Sequence, residues 1–140
     1  MIVVDTKVLS ELWRVAPDPK VLAWMDAQVV ETLFLSAITV AELRFGLAAM
    51  PQGKRRTIYQ ERLEREVLPA FAGRVLPFDL DASKAYGELM ARARLGAGLA
   101  IGNADGYIAA TAAARGLMVA TRDTSPFKAA GLAVIDPWAS

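Results

Sequence analysis

Histidine and cysteine are both absent from this chain of 140 residues. Their absence excludes Ser-His-Asp triads, Cys-His dyads, acid–base chemistry by paired histidines and zinc sites built from Cys and His. An enzyme of this composition has to rely on carboxylates, Lys, Arg, Tyr, Ser or Thr. Carboxylates that lack nitrogen or sulfur partners favour hard cations such as Mg²⁺ or Mn²⁺.

The chain also lacks a strong net charge and a long apolar run. Its formal net charge is +1, so binding to nucleic acid would require a local basic patch or bound cations. No apolar run approaches the roughly 18 residues of a membrane-spanning helix. The N-terminus starts a strand at once and shows no signal-peptide pattern. With no cysteine, these features predict a cytoplasmic protein without a membrane partner.

Short apolar strands alternate with helices along the sequence. Hydrophobic residues make up 54% of the chain and mean hydropathy is +0.30, which predicts one packed domain over residues 1–140. The alternation predicts an α/β fold with a short, mainly parallel sheet. The predicted strands are 2–5, 32–35, 74–78, 117–120 and 133–135. The predicted helices are 8–13, one starting at 18–19, 36–50, 54–71, 81–95, 103–115 and 124–130, with a loop at 96–102. The predicted N-caps are Asp18, Ser36 and Asp81.

Four acidic residues fall near the predicted carboxyl ends of strands. Asp5 ends the first strand, and Asp123 follows the strand at 117–120. Glu42 lies about two turns into the helix after the second strand, and Asp105 lies in the first turn of a late helix. Functional sites of open α/β sheets lie beyond the carboxyl ends of the strands. We therefore expect these four side chains to converge.

Four converging carboxylates would repel one another. At about 4 Å and an effective dielectric constant near 20, each pair costs about 4 kcal/mol. One or two divalent cations would offset this cost, hold a scissile phosphate and lower the pKa of an attacking water. The pattern therefore predicts a phosphodiesterase that uses Mg²⁺ or Mn²⁺. Its predicted catalytic and metal-binding residues are Asp5, Glu42, Asp105 and Asp123.

Each of these acids also has a simpler structural interpretation. Asp5 can cap the next helix, Asp123 can serve in a turn, and Asp105 can complement a helix dipole. Glu42 can lie on an exposed helix face. Capping and metal binding are compatible at a strand end, so the residues alone leave these alternatives open. The remaining acids considered, which we expect to be solvent, cap or turn residues, are Glu11, Glu31, Asp79, Asp81 and Glu88.

Five segments together resemble PIN-domain proteins, and most closely the VapC/FitB-like toxins of type II toxin–antitoxin systems. They are VVDTKVLSEL, LSAITVAELRFGL, GNADGYIAATAAARG, VATRDTSPF and VIDPW. The resemblance covers essentially the whole chain, in order. It implies a single PIN-like domain with a parallel sheet sandwiched between helices. The family's acidic site residues correspond to Asp5, Glu42, Asp105 and Asp123.

The resemblance also implies an activity and partners. The expected activity is a metal-dependent endoribonuclease that acts on tRNA, rRNA or mRNA and leaves a 5′-phosphate and a 3′-hydroxyl. The expected partners are a second copy of the chain and a small antitoxin, in a heterotetramer or larger complex, with operator DNA bound only through the antitoxin. The side chains expected to contact substrate or modulate the pocket are Thr6, Lys7, Arg44, Thr121 and Arg122.

Lys7 departs from the family pattern, which usually has Asn or Ser at this position. The lysine is either solvated or close enough to the carboxylates to replace part of a metal's charge. If it fills the pocket, the protein would be a weak nuclease or a binding module in an antitoxin–operator complex. A haloacid-dehalogenase-type phosphatase also has an Asp after its first strand, but it needs a second Asp where this chain has Lys7.

The helix predicted at 54–71 carries both signs of charge. Its basic residues are Lys54, Arg55, Arg56, Arg62 and Arg65, and its acids are Glu61, Glu64 and Glu66. One interpretation is a solvated face with i,i+4 salt bridges. The other is a patch for an RNA backbone, for which 54–56 is the best candidate.

Overall fold

The computed structural model describes residues 1–97 and 103–139 and has a parallel five-stranded sheet at its centre. The strands are β1 (Ile2–Val4), β2 (Leu33–Ser36), β3 (Val75–Leu76), β4 (Met118–Ala120) and β5 (Val134–Ile135). Their order is β3-β2-β1-β4-β5, and every neighbouring pair is parallel. The predicted α/β fold is confirmed.

Helices follow most of the strands. They are α1 (Thr6–Leu12), α2 (Pro19–Asp26), α3 (Ala37–Ala48), α4 (Lys54–Arg62), α5 (Leu68–Ala70), α6 (Leu80–Ala97), α7 (Asn103–Ala114) and α8 (Thr124–Ala129). A 3₁₀ turn covers Val30–Thr32, and a π-helical turn, Leu63–Val67, joins α4 to α5. Within the described residues, no helix is long and apolar enough to cross a membrane.

The two faces of the sheet have separate cores. Successive residues of a strand point to opposite faces, and β1 is buried on both. Val3 packs with Ile108 of α7, whereas Val4 packs with Val8 of α1 and Leu43 of α3. Because β1 is apolar throughout, it occupies the centre of the sheet, and the residue that follows it is placed at the centre of the rim.

The strand order changes direction beside β1. The chain runs outward from β1 to β2 and β3, then returns to β4 on the other side of β1. In open α/β sheets this topological switch point forms the binding crevice. Asp5, the start of α3 and Thr121 follow β1, β2 and β4 respectively, so all three lie at this crevice.

Several local predictions need correction. Helix α1 begins at Thr6, two residues before the predicted start, because the Asp5 side chain caps it. Asp79, not Asp81, caps α6, since its Oδ1 accepts a hydrogen bond from the Ala82 amide at 3.0 Å. The predicted continuous helix over 54–71 is interrupted by the π-helical turn.

Two more sequence expectations concern Glu11 and the loop at 96–102. Glu11 is buried, because its Oε2 accepts from the Asp18 amide at 2.9 Å and its Oε1 pairs with Arg14 at 3.2 Å. It therefore holds the start of α2 against the end of α1. Of the predicted loop, residues 96 and 97 lie in α6, and the rest fall outside the described residues.

Candidate active site

Asp5 is fixed at the carboxyl end of β1 by bonds to both of its carboxylate oxygens. The Thr6 amide donates to Oδ1 at 2.7 Å, and the Thr121 hydroxyl donates to Oδ2 at 3.0 Å. The Asp5 amide donates to the Ala120 carbonyl at 3.0 Å and extends the pairing of β1 with β4. The side chain is only 3% exposed. Asp5 is thus an N-cap and a rigid buried carboxylate at once.

Glu42 joins this site through a hydroxyl on α1. The Thr6 Oγ1 donates to Glu42 Oε1 at 2.6 Å, and Thr39 Oγ1 lies 3.1 Å from Thr6 Oγ1. Thr39 and Glu42 are three residues apart on α3 and therefore share one face of the helix. Glu42 is half-buried rather than on an exposed helix face, so its plain surface interpretation is wrong.

Asp105 brings the opposite side of the crevice into the cluster. It lies half-buried in the first turn of α7. Burial raises its pKa, and the negative charges of Glu42 and Asp123 raise it further, while the Lys7 ammonium acts in the opposite direction. Those three neighbours belong to three different segments of the chain, so Asp105 lies within electrostatic range of two of the other predicted acids.

Burial and charge repulsion also act on Asp5. Burial, followed by repulsion from Asp105, raises the pKa of Asp5 to about 6, and Glu42 adds a smaller repulsion. The hydrogen bonds from Thr121 and the Thr6 amide oppose this shift. Ionisation of Asp5 therefore costs more free energy here than it does for a carboxyl in water.

Asp123 lies at the exposed edge of the cluster. It precedes α8, but its side chain makes no capping hydrogen bond there. Its charge instead raises the pKa of Asp105. Among residues 1–97 and 103–139, the Asp123 side chain therefore does not serve as the cap of α8.

Lys7 lies beside the cluster without occupying it. Its side chain is exposed, and its charge lowers the pKa of Asp105. Over residues 1–97 and 103–139, no salt bridge joins Lys7 to an acid. The lysine is therefore both solvated and electrostatically coupled to the site, which combines the two interpretations of the sequence.

Arg122 and Arg44 have different surroundings. Arg122 directly precedes Asp123 in the sequence. Its guanidinium carbon lies 5.1 Å from the centre of the Trp138 ring, which restricts the position of the side chain. Trp138 was missed as a site neighbour, although it closes the VIDPW segment. Arg44 instead binds both oxygens of Glu64, at 2.8 and 3.0 Å, so a substrate contact by Arg44 stays a prediction without geometric support.

The donor set suits a hard divalent cation. All the side-chain donors are oxygens, and within the described part of the chain none of the four acids forms a salt bridge. No three acidic side chains of the same residues are close enough to ligate a single ion together. Mg²⁺ commonly binds proteins through one or two carboxylates and keeps several waters, so the residues present fit such an ion.

Comparisons with known proteins agree with this fold. The sequence pattern of the PIN domain matches residues 2–132. The VapC ribonuclease Y4jK of Sinorhizobium fredii is 74% identical over 138 residues, covering 99% of this chain and 98% of that protein. Toxin FitB of Neisseria gonorrhoeae is 50% identical, covering 99% of both. A structure of FitAB bound to an IR36 DNA fragment has a TM-score of 0.96 and 47% identity, and covers 100% of this chain and 97% of that one.

Proposed function

This chain belongs to the PIN-domain family, in its VapC/FitB-like toxin branch, and from that premise we propose that it is a metal-dependent endoribonuclease. In this proposal it is the toxin of a type II toxin–antitoxin system. Its substrate is RNA, and its cofactor is Mg²⁺ or Mn²⁺. The names of the two relatives, a VapC ribonuclease and a toxin, support both parts of the proposal.

One observation carries the proposal. Asp5 is buried at the strand-order switch point, and this burial, together with repulsion from Asp105 and Glu42, raises its pKa. Thr6 and Thr121 nevertheless hold its two oxygens in place. A fold gains nothing in stability from fixing mutually repelling carboxylates in a crevice, whereas a cation site requires that arrangement.

Asp5, Glu42, Asp105 and Asp123 would hold the cation, directly or through water. When bound, the cation supplies positive charge to the scissile phosphate and lowers the pKa of the attacking water. Thr6 and Thr121 orient the Asp5 carboxylate, and the Thr6 hydroxyl also orients Glu42. Arg122 offers a guanidinium for the phosphate at the open side of the crevice.

The proposed partners follow from the family. We expect the chain to form a homodimer and to bind a small antitoxin that covers the acidic crevice, in a heterotetramer or larger complex. Operator DNA would be bound through the antitoxin; the FitAB structure that resembles this chain contains a DNA fragment. Toxin, antitoxin and RNA would meet in the cytoplasm.

A second candidate function is a binding module with weak catalysis or none. Lys7 favours it, because its charge already acts on Asp105. In this alternative the acidic crevice docks a basic side chain of the antitoxin, and the complex acts as a DNA-bound regulator.

The test is cleavage of a panel of tRNAs and structured RNAs with Mn²⁺ or Mg²⁺, by this chain and by Lys7→Asn. We expect both to cleave, since Lys7 is exposed and does not fill the crevice. Removing one positive charge beside Asp105 should lower the Mn²⁺ concentration at half-maximal cleavage by about three- to tenfold. Lys84→Asn is the matched control, because Lys84 lies exposed near the start of α6.

The outcomes separate the two functions. Cleavage by Lys7→Asn alone would mean that the ammonium occupies the crevice in solution. No cleavage by either form, on a panel that a known VapC ribonuclease cuts, would reject the nuclease and favour the binding module. An equal metal requirement for the Lys7 and Lys84 variants would contradict the assigned position of Lys7.

A further inference from the structure

A groove leads away from the candidate active site toward the start of α4. Its first part, about 280 Å³, is lined by Thr6 and Glu42 at one end and by Trp13, Arg55 and Tyr59 at the other. A second cavity of about 420 Å³ is also lined by Trp13, Arg55 and Tyr59. The two cavities therefore adjoin at these shared residues, and together they are called here the basic groove.

The far part of the basic groove is positively charged. Four of its eight lining residues are Arg14, Lys54, Arg55 and Arg62, and none is acidic. Arg14 is paired with Glu11 and Arg62 approaches Glu66 at 3.9 Å. Within the described residues, Lys54 and Arg55 form no salt bridge. Two cations at one end of the groove are therefore available to an anionic partner.

The start of α4 adds to this positive potential. The helix begins at Lys54 with no acidic residue in its first turn and no side-chain cap. The N-terminal end of a helix carries partial positive charge, which an acidic residue usually balances. Here Lys54 and Arg55 increase it instead. The positive charge at this point destabilises the isolated helix, which is the arrangement expected where the balancing charge comes from a partner.

Aromatic rings line the groove between the cations and the acidic crevice. The Trp13 and Tyr59 rings are nearly parallel, at 13°, with centres 6.0 Å apart. The guanidinium carbons of Arg55 and Arg62 each lie 5.5 Å from the centre of the Tyr59 ring, and the Tyr59 hydroxyl donates to the Trp13 carbonyl at 3.1 Å. Aromatic rings and guanidinium planes are the surfaces on which unpaired bases stack.

We infer that the basic groove binds a single-stranded stretch of RNA adjacent to the phosphate cut at the active site. This inference rests on the proposed function and extends it to the form of the substrate. Lys54 and Arg55 contact backbone phosphates, and a base stacks on the aromatic and guanidinium surface near Trp13 and Tyr59. The groove starts at Thr6 and Glu42, so a strand lying in it reaches the acidic crevice directly.

Charge decides between RNA and a protein partner for this groove. The near part has mainly apolar walls, which would suit either one. The far part combines four basic side chains with no acid, and this matches a regularly spaced polyanion. A protein occupant would instead need a run of acidic residues opposite Lys54 and Arg55.

The test is binding of an unstructured, fluorescently labelled 12-nucleotide RNA in EDTA, followed by anisotropy from 50 to 200 mM KCl. The EDTA prevents metal-dependent cleavage, so binding is measured by itself. We expect the double variant Lys54→Gln/Arg55→Gln to bind about ten- to thirtyfold more weakly at 100 mM KCl. The slope of log affinity against log salt should fall by about 1.4, since each lost phosphate contact with a single strand removes about 0.7.

The matched control is Arg65→Gln/Lys84→Gln, which removes the same charge from two exposed residues outside the groove. It should change affinity less than twofold. Equal binding by the wild type and the Lys54/Arg55 variant, or equal weakening by both pairs, would overturn the inference. Equal binding by all forms would assign the groove to a protein partner instead.

Cleavage with Mn²⁺ on the same variants separates this inference from the proposed function. Loss of binding in the Lys54/Arg55 variant, with no cleavage by any form, would contradict the nuclease and leave the groove as an RNA site. Normal cleavage with unchanged binding would contradict the groove alone.

Discussion

Replacing Asp5 with Asn is expected to slow metal-dependent RNA cleavage at least about 1000-fold, since a cation held by this carboxylate lowers the activation barrier by several kcal/mol. Asn keeps nearly the same shape and can still accept the 2.7 Å hydrogen bond from the Thr6 amide. The substitution therefore removes the charge while leaving the cap of α1 in place. Measurement of initial cleavage rates at saturating Mn²⁺ tests this expectation.

The control for Asp5→Asn is Asp81→Asn, the same chemical change at an exposed residue in the first turn of α6. It should cleave at the wild-type rate. Glu42→Gln and Asp105→Asn should also cleave much more slowly, because the charges of both side chains act on Asp5. Cleavage by Asp5→Asn within tenfold of the wild type would remove Asp5 from the catalytic site.

The second large effect concerns stability rather than rate. In EDTA at pH 7.5, Asp5→Asn should be more stable than the wild type by up to about 3 kcal/mol, which is the difference between a folded pKa of about 6 and the ordinary 3.8. For a chain of 140 residues this corresponds to a rise in Tm of several degrees. Thermal unfolding of the two proteins measures it.

The sign of this effect follows from the raised pKa. Because folding favours the protonated form of Asp5, its favourable contribution is complete below pH 3.8 and is lost as the pH rises through about 6. The advantage of Asp5→Asn should therefore shrink as the pH falls toward 4. At neutral pH the charged Asp5 lowers stability, and a bound cation should restore it.

Mg²⁺ or Mn²⁺ provides the matching measurement. A cation present at about 100 times its Kd should raise wild-type stability by about 2.7 kcal/mol. It should raise the stability of Asp5→Asn much less and that of Asp81→Asn as much as the wild type. Equal stabilisation of all three proteins, or a less stable Asp5→Asn at every pH, would contradict a cation site at Asp5.

Much of this architecture was predictable from local patterns. Short apolar runs separated by capped helices fix the α/β class, and Ile2, Val3 and Val4 mark a strand buried on both faces. Asp5 is recognisable from the sequence because it directly follows a buried strand, and Asp123 because it comes shortly after another. Glu42 was found because a carboxylate interrupts an otherwise apolar helix.

Contacts between distant elements were not predictable in the same way. Arg44 pairs with Glu64, 20 residues away, because α3 packs against α4 and Glu64 lies in the π-helical turn directly after α4. No local pattern shows that approach. Glu11 is buried because α2 folds back onto the end of α1. The sequence alone does not show whether Lys7 acts on the acidic residues. Its effect on the pKa of Asp105 depends on how α1 and α7 are placed relative to the sheet.

The most direct test of the account is the chemistry of the RNA ends. Cleavage products made with Mn²⁺ should carry a 5′-phosphate and a 3′-hydroxyl, because water attacks the phosphorus in the proposed mechanism and the 3′-oxygen leaves, and cleavage should stop in EDTA. Products with a 2′,3′-cyclic phosphate, formed in EDTA as well as in Mn²⁺, would show attack by the ribose hydroxyl. That result would contradict a metal-dependent site at Asp5, Glu42, Asp105 and Asp123.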